Sequence, residues 1–138
     1  MNLVTPMTAE LIDVLDSAGN PTGEVKEKQA VHRDGDWHRS VYVWIVTTAG
    51  RIGLQRRSET KETWPGWWDV SAAGHLSVGE SAVEAAIRET REELGIELAP
   101  VELRYLATVR DQGVFRDGTW IENEIHEVFV VRREVDLA

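Results

Sequence analysis

Between Gly74 and Ile96 the chain reads GHLSVGESAVEAAIRETREELGI, which places five acidic side chains and two arginines along one loop and the helix expected after it. Glu89, Glu92 and Glu93 follow an i, i+3, i+4 spacing, so a helix brings their carboxylates onto one strip. Three like charges destabilise a bare helix. A hard divalent cation relieves that repulsion, because Mg²⁺ and Mn²⁺ prefer oxygen ligands and bridge carboxylates to phosphate oxygens. The chemistry these residues suit is metal-assisted work on a phosphate or diphosphate.

The same segment carries the signals that position those groups. Val83, Ala86, Ile87, the methyl of Thr90 and Leu94 recur at three- and four-residue steps, giving one apolar face that can pack on a sheet. Gly95 supplies a C-terminal stop. The order Gly74, Glu80, Arg88-Glu89, Glu92-Glu93, Gly95 resembles the Nudix box, with Thr90 the one departure, at an apolar position. The resemblance implies Glu89, Glu92 and Glu93 as metal ligands and as catalytic carboxylates. It also implies a structural pairing of Glu80 with Arg88 at the helix start.

Around this helix the chain reads mostly as strands. Glu10 to Leu15 alternates, and the turn cluster at Ser17 to Pro21 leads to a second extended piece through Val25. One or two helical turns are expected over Lys26 to Val31. SVYVWIVTT, Ser40 to Thr48, reads as a buried central strand with Trp44 in the core, followed by an extended Arg51 to Arg57. Trp68 to Ala73 is a short strand feeding the loop and helix. Val101 to Arg110 and Trp120 to Val131 form a hairpin through Arg116-Asp117-Gly118-Thr119. Strands on both sides of one strong helix predict an α/β fold with a mixed β-sheet covered by helices, the α/β/α sandwich the resemblance implies.

At 138 residues one domain, 1–138, is expected. The chain stops almost directly after its last strand where Nudix relatives continue into a further helix, so a truncated or minimal C-terminus is expected. The formal charge of −9 leaves no sequence-wide basic surface, which argues against duplex nucleic acid as a partner. Cysteine is absent, so there is no disulfide, thiolate ligand or cysteine nucleophile. MNLVTPMTAELIDV has no basic stretch followed by an apolar run, and no stretch of about 20 apolar residues occurs, so no membrane association and a cytoplasmic location are expected. A homodimer is left open.

Beyond the box, DVLDSAGNPTG, His32 and His38 flanking RDGDW, QRRS with Lys61, WPGWWDVSAAGH and the Glu122-Asn123-Glu124 triplet resemble the isopentenyl-diphosphate-isomerase-like branch of the Nudix superfamily over Glu10 to Val131. That resemblance implies a metal held by His32, His38, His75, Glu122 and Glu124, where imidazole with carboxylate suits Mn²⁺, Zn²⁺ or Fe²⁺. It implies Arg57 and Lys61 on the diphosphate, with Arg56 the alternate because adjacent strand residues point to opposite faces. Trp64 and Trp67, beside Pro65-Gly66, could stack on a base, cover an isoprenoid, or simply anchor the loop.

Ala73 stands where the isomerases carry a catalytic cysteine, and a methyl group transfers no proton. The expected activity is therefore metal-dependent hydrolysis, with Mg²⁺ or Mn²⁺, of a diphosphate bond in a nucleoside diphosphate derivative or similar small organic diphosphate. Glu93, Glu124 and the metal are the alternatives for activating water. Isopentenyl diphosphate isomerisation and a non-catalytic diphosphate-binding module are the competing readings.

Overall fold

A computed structural model describes residues 10–61 and 63–136. The stretch read for a targeting signal therefore lies, through residue 9, outside the described residues, as do residues 137–138 of the C-terminus. In chain order the elements are β1 Leu11–Leu15, β2 Pro21–Glu27, α1 Lys28–Asp34, β3 Trp37–Val46, β4 Gln55–Arg56, β5 Trp68–Asp69, β6 Ala72–His75, α2 Ala82–Leu94, β7 Arg104–Phe115 and β8 Trp120–Arg132. Short 3-10 turns cover Pro100–Glu102 and Arg116–Gly118.

The β-branched and aromatic run in β3 makes the hub of a mixed sheet ordered β2-β1-β3-β8-β7, with β6 also paired to β3. β3 and β8 run parallel with His38 opposite Glu124 and Ser40 opposite His126. The other pairings are antiparallel, including the expected β7–β8 hairpin. Strand alternation sorts β3 into two faces. Val41, Val43 and Ile45 are buried with Ala85 and Ala86 of α2 and with Phe129 and Val131 of β8. His38, Ser40 and Tyr42 take the opposite face, where α1 delivers His32 and packs Val31 on Ile12 and Val14. The two helices thus sandwich the sheet. Each fully buried aliphatic side chain contributes about 1.5–3 kcal/mol relative to exposure.

Helix α2 starts at Ser81, whose hydroxyl accepts the Glu84 N–H, a cap that contributes about 1 kcal/mol. It ends at Gly95 in the left-handed conformation. Thr90, the departure from the box, is fully buried, and its hydroxyl donates to Ala86 O at 2.7 Å. Two expectations are corrected. The segment Arg51 to Arg57 is not a continuous strand, because it pairs only at Ile52 with Val46 and at Gln55–Arg56 with β5. Trp44 is half-buried, since it lies on the face of β3 that α2 does not cover. Among the described residues no helix is long and apolar enough to cross a membrane.

Candidate active site

A cavity of about 570 Å³ opens between the β6 edge, the start of β3, the β7–β8 hairpin and the loop from Arg57 to Asp69. His75 from β6 and Glu124 from β8 line it, and together with His32 from α1 and His38 from β3 they bring one ligand atom each to within 4.8 Å of one another. Glu124 Oε1 lies 3.0 Å from His75 Nε2, 3.1 Å from His38 Nε2 and 3.6 Å from His32 Nε2. His32 and His38 are fully buried.

Three features of this group fit a divalent metal. First, His32 Nδ1 donates to Lys28 O at 2.8 Å and His38 Nδ1 to Asp36 O at 3.1 Å. A carbonyl only accepts, so Nδ1 of each ring carries a hydrogen and Nε2 is the nitrogen turned toward Glu124. Second, among the described residues the buried Nε2 of His32 has no hydrogen-bond partner. Third, burial pushes Glu124 up, yet the imidazoles around it outweigh burial and hold its carboxyl well below the usual carboxylate range. Burial holds His75 down despite Glu124. An ionised carboxylate beside a neutral imidazole is the protonation state that metal ligation requires. Trp120 stacks on His32 with ring centroids 4.1 Å apart and itself lines the cavity.

Glu122 stays outside that four-residue group, with its Oε1 taken by the Trp120 indole N–H at 3.2 Å and approached by Thr63 Oγ1 at 3.5 Å. It lines the cavity, and burial, followed by the charge on Glu124, pushes its carboxyl up.

Helix α2 sends Glu89 and Glu93, but not Glu92, to the cavity wall. At 100° per residue Glu89 and Glu93 are about 40° apart around the helix, whereas Glu92 lies about 60° to the other side. Glu92 is exposed and meets Arg88 at 3.2 Å. Gly74 permits the close approach of Glu89, since a Cβ there would overlap the Glu89 carboxyl. Burial pushes Glu89 up to about 7 against the pull of Arg88, with Glu93 and Glu92 adding to the rise. Glu93 Oε2 accepts from Ala73 N at 2.9 Å and Gln55 Nε2 at 3.0 Å, and burial pushes its carboxyl up as well. Arg88 donates to both oxygens of Glu80, at 2.8 and 3.0 Å, and to His75 O, which ties the start of α2 to β6.

Arg57 and Lys61 line the same cavity. Arg57 is held by Thr63 O at 3.0 Å and Asp69 Oδ2 at 2.8 Å. Arg56 is not brought to the cavity, because its Nε donates to Gly66 O and its Nη2 reaches Glu59. Trp64 and Trp67 stand half or more exposed at the rim in edge-to-face contact, with Phe115 against Trp64. Trp64 sits at φ 49°, a left-handed conformation that costs a bulky residue about 1 kcal/mol or more. The strain is at the cavity mouth, where loops held for binding tend to store it.

Two residues of this site escape a motif-based reading. His126 packs beside Glu124 in β8, and Gln55 holds Glu93. The parity of His126 with Glu122 and Glu124 along one strand was the available signal for the first. Gln55 opens the QRRS run, yet nothing in that pattern pairs it with Glu93.

Comparison with known proteins agrees with this geometry. Residues 36–138 match the NUDIX domain. The chain is 44% identical over 126 residues to Nudix hydrolase 3 of Arabidopsis thaliana, covering 91% of this chain but 16% of that one. It is 35% identical over 131 residues to the isopentenyl-diphosphate Delta-isomerase of Shigella flexneri, covering 91% of this chain and 68% of the isomerase. A crystal structure from Deinococcus radiodurans superposes with a TM-score of 0.71 at 25% identity, over 92% of this chain and 74% of that one. The chain belongs to the NUDIX domain family, on its isopentenyl-diphosphate-isomerase-like branch.

Proposed function

We propose that the chain is a metal-dependent pyrophosphohydrolase that cleaves the diphosphate bond of a nucleoside diphosphate derivative or a similar small organic diphosphate. The observation that carries this reading is one cavity lined both by the carboxylates of Glu89 and Glu93 and by the cationic side chains of Arg57 and Lys61. A diphosphate needs both signs: cationic side chains for its outer oxygens and carboxylates to hold the cation it brings or meets.

His32, His38, His75 and Glu124 would hold a metal that suits mixed nitrogen and oxygen donors, and Glu89 with Glu93 would hold Mg²⁺ or Mn²⁺. When bound, such ions supply positive charge that neutralises the diphosphate and makes its phosphorus easier to attack. The chain's own residues do the rest. Glu93 is oriented by Ala73 N and Gln55 through one oxygen, which leaves Oε1 for a ligand or a water proton. Glu89 sits with its carboxyl near 7 and can exchange a proton around neutrality. Lys61 offers a mobile point charge, whereas Arg57 is already oriented by Asp69. Trp64 and Trp67 present ring faces for a base or an apolar chain.

The test is release of phosphate or nucleoside monophosphate from a panel of nucleotide and isoprenoid diphosphates with Mg²⁺ and Mn²⁺. Turnover that disappears in Glu93→Gln supports the reading, and silence across the panel sinks it. The His-Glu group favours a second reading, isomerisation of isopentenyl diphosphate, which Ala73 disfavours because its methyl group carries no proton. Uptake of solvent deuterium into isopentenyl diphosphate would revive it. The cellular location, a small-molecule diphosphate as partner and any dimer belong to the same proposal.

A further inference from the structure

His126 has no task in the arrangement above. It is 1% exposed, and among the described residues its Nε2 has no hydrogen-bond partner. A buried nitrogen left this way costs about 1–3 kcal/mol, so a folded chain keeps one where something takes it up. Its two neighbours are Glu124 Oε2 at 3.5 Å and Asp111 Oδ2 at 3.6 Å. Asp111 lies opposite Glu124 across the β7–β8 ladder, and His126 follows two residues along β8, so alternation sets all three on one face. These separations are long for hydrogen bonds. They are close to the spacing of two ligands on one ion, since donors about 2.1 Å from a tetrahedral metal lie roughly 3.4 Å apart.

The rest of the imidazole is built as a ligand is built. Ser40 Oγ lies 2.6 Å from His126 Nδ1, as Lys28 O and Asp36 O lie beside Nδ1 of His32 and His38. In all three an oxygen fixes Nδ1 and Nε2 faces Glu124. His126 is nevertheless no member of the first group, because it faces the other carboxylate oxygen. The surroundings are negative. Among the described residues the ion-pair partners of Asp111 and Glu124 are histidines. Tyr42, stacked on His126 at 4.1 Å, is pushed up by burial and then by the charges of Glu124, Asp69, Asp111 and Glu122.

We propose that Asp111, His126 and Oε2 of Glu124 form a second divalent-metal site, with Glu124 bridging it to the histidine group. One imidazole with two carboxylates selects Mn²⁺, Co²⁺ or Zn²⁺ over Mg²⁺. Asp111 and Glu124 both line the cavity, so an ion here would lie at the wall a ligand reaches. The site stands whether or not the chain hydrolyses diphosphates.

The test uses crystals of the full chain soaked in cobalt and measured at its absorption edge, together with cobalt titration in solution followed by visible absorption. Two anomalous peaks on opposite oxygens of Glu124, roughly 3.5–4 Å apart, are expected. Asp111→Asn and His126→Gln should each lose the peak beside β7 and keep the one among His32, His38 and His75, with bound cobalt falling by one equivalent. Asp111 has an exposed side chain, so its isosteric change leaves the fold intact even if the His126 variant does not fold. A single peak at Glu124 in the saturated parent protein, or both peaks persisting in Asp111→Asn, overturns the proposal.

Discussion

The backbone N–H of Ala73 donates to Oε2 of Glu93 at 2.9 Å, so the edge of the sheet and the acidic helix share one hydrogen bond at the cavity wall. Gln55 holds the same oxygen from the other side. Glu93→Gln keeps an oxygen for both donors and loses only the negative charge. Hydrolysis is expected to fall by at least about 10²-fold with the melting temperature little changed. Gln55→Ala, which frees the carboxylate without neutralising it, should cost less, roughly 10-fold. Steady-state phosphate release by the two variants checks the order.

Gly74→Ala tests the approach of Glu89. The added Cβ would overlap the Glu89 carboxyl, which is the movable end of a long side chain, so the protein yields by swinging Glu89 aside. Activity should drop roughly 10²-fold, as misplacement by about 1 Å can do, while stability changes little. Equal losses of activity and stability would contradict this account.

Glu80→Ala removes two of the acceptors of the half-buried Arg88 guanidinium, the Glu80 carboxylate oxygens. The expected loss is about 2 kcal/mol, the scale of hydrogen bonds to a charged group, read as a lower urea midpoint. Burial pushes Glu80 up, but Arg88 and the Ser77 N–H outweigh it, so the carboxyl stays ionised in the folded protein to lower pH than in the unfolded chain.

Glu89 predicts a pH dependence of the metal-free protein. Its carboxyl rises from an ordinary 4.5 to about 7, chiefly by burial. Between those values the folded protein holds a proton that the unfolded chain has released. This contribution to stability is fully present below about 4.5 and is lost as pH rises through about 7. Glu89→Gln cannot ionise, so the difference between variant and parent should change across that window and be flat above it. Urea denaturation at a series of pH values in chelator measures it.

Metal removal should lower the melting temperature, because a site assembled from α1, β3, β6 and β8 exists only in the folded chain. At a free metal concentration 100 times the dissociation constant the stabilisation is about 2.7 kcal/mol. Glu124→Gln should abolish most of it. Thermal melts with and without chelator decide the point.

The box helix and the β7–β8 hairpin were legible because their signals are local: spacing, caps and turn residues over a few positions. Glu92 was grouped with Glu89 and Glu93 because i, i+3, i+4 spacing defines a strip, not a direction, and Arg88 then draws it outward. Only the resemblance favours Arg57 over Arg56; strand parity does not choose between them, since β4 ends at Arg56 and the loop beyond it decides where Arg57 points. Gln55 and His126 acquire their partners from residues 38 and 86 positions away, and no local pattern encodes such pairings.

The parallel ladder of β3 and β8 ties the accuracy of the centre to packing on the other side of the sheet. If β8 shifted by one position, Asn123 and Ile125 would stand where Glu124 and His126 now do, and Phe129 and Val131 would leave their places under α2. The greasy underside therefore acts as a proofreader: the penalty for unburying those two side chains is what keeps a carboxylate and an imidazole aimed at the same point.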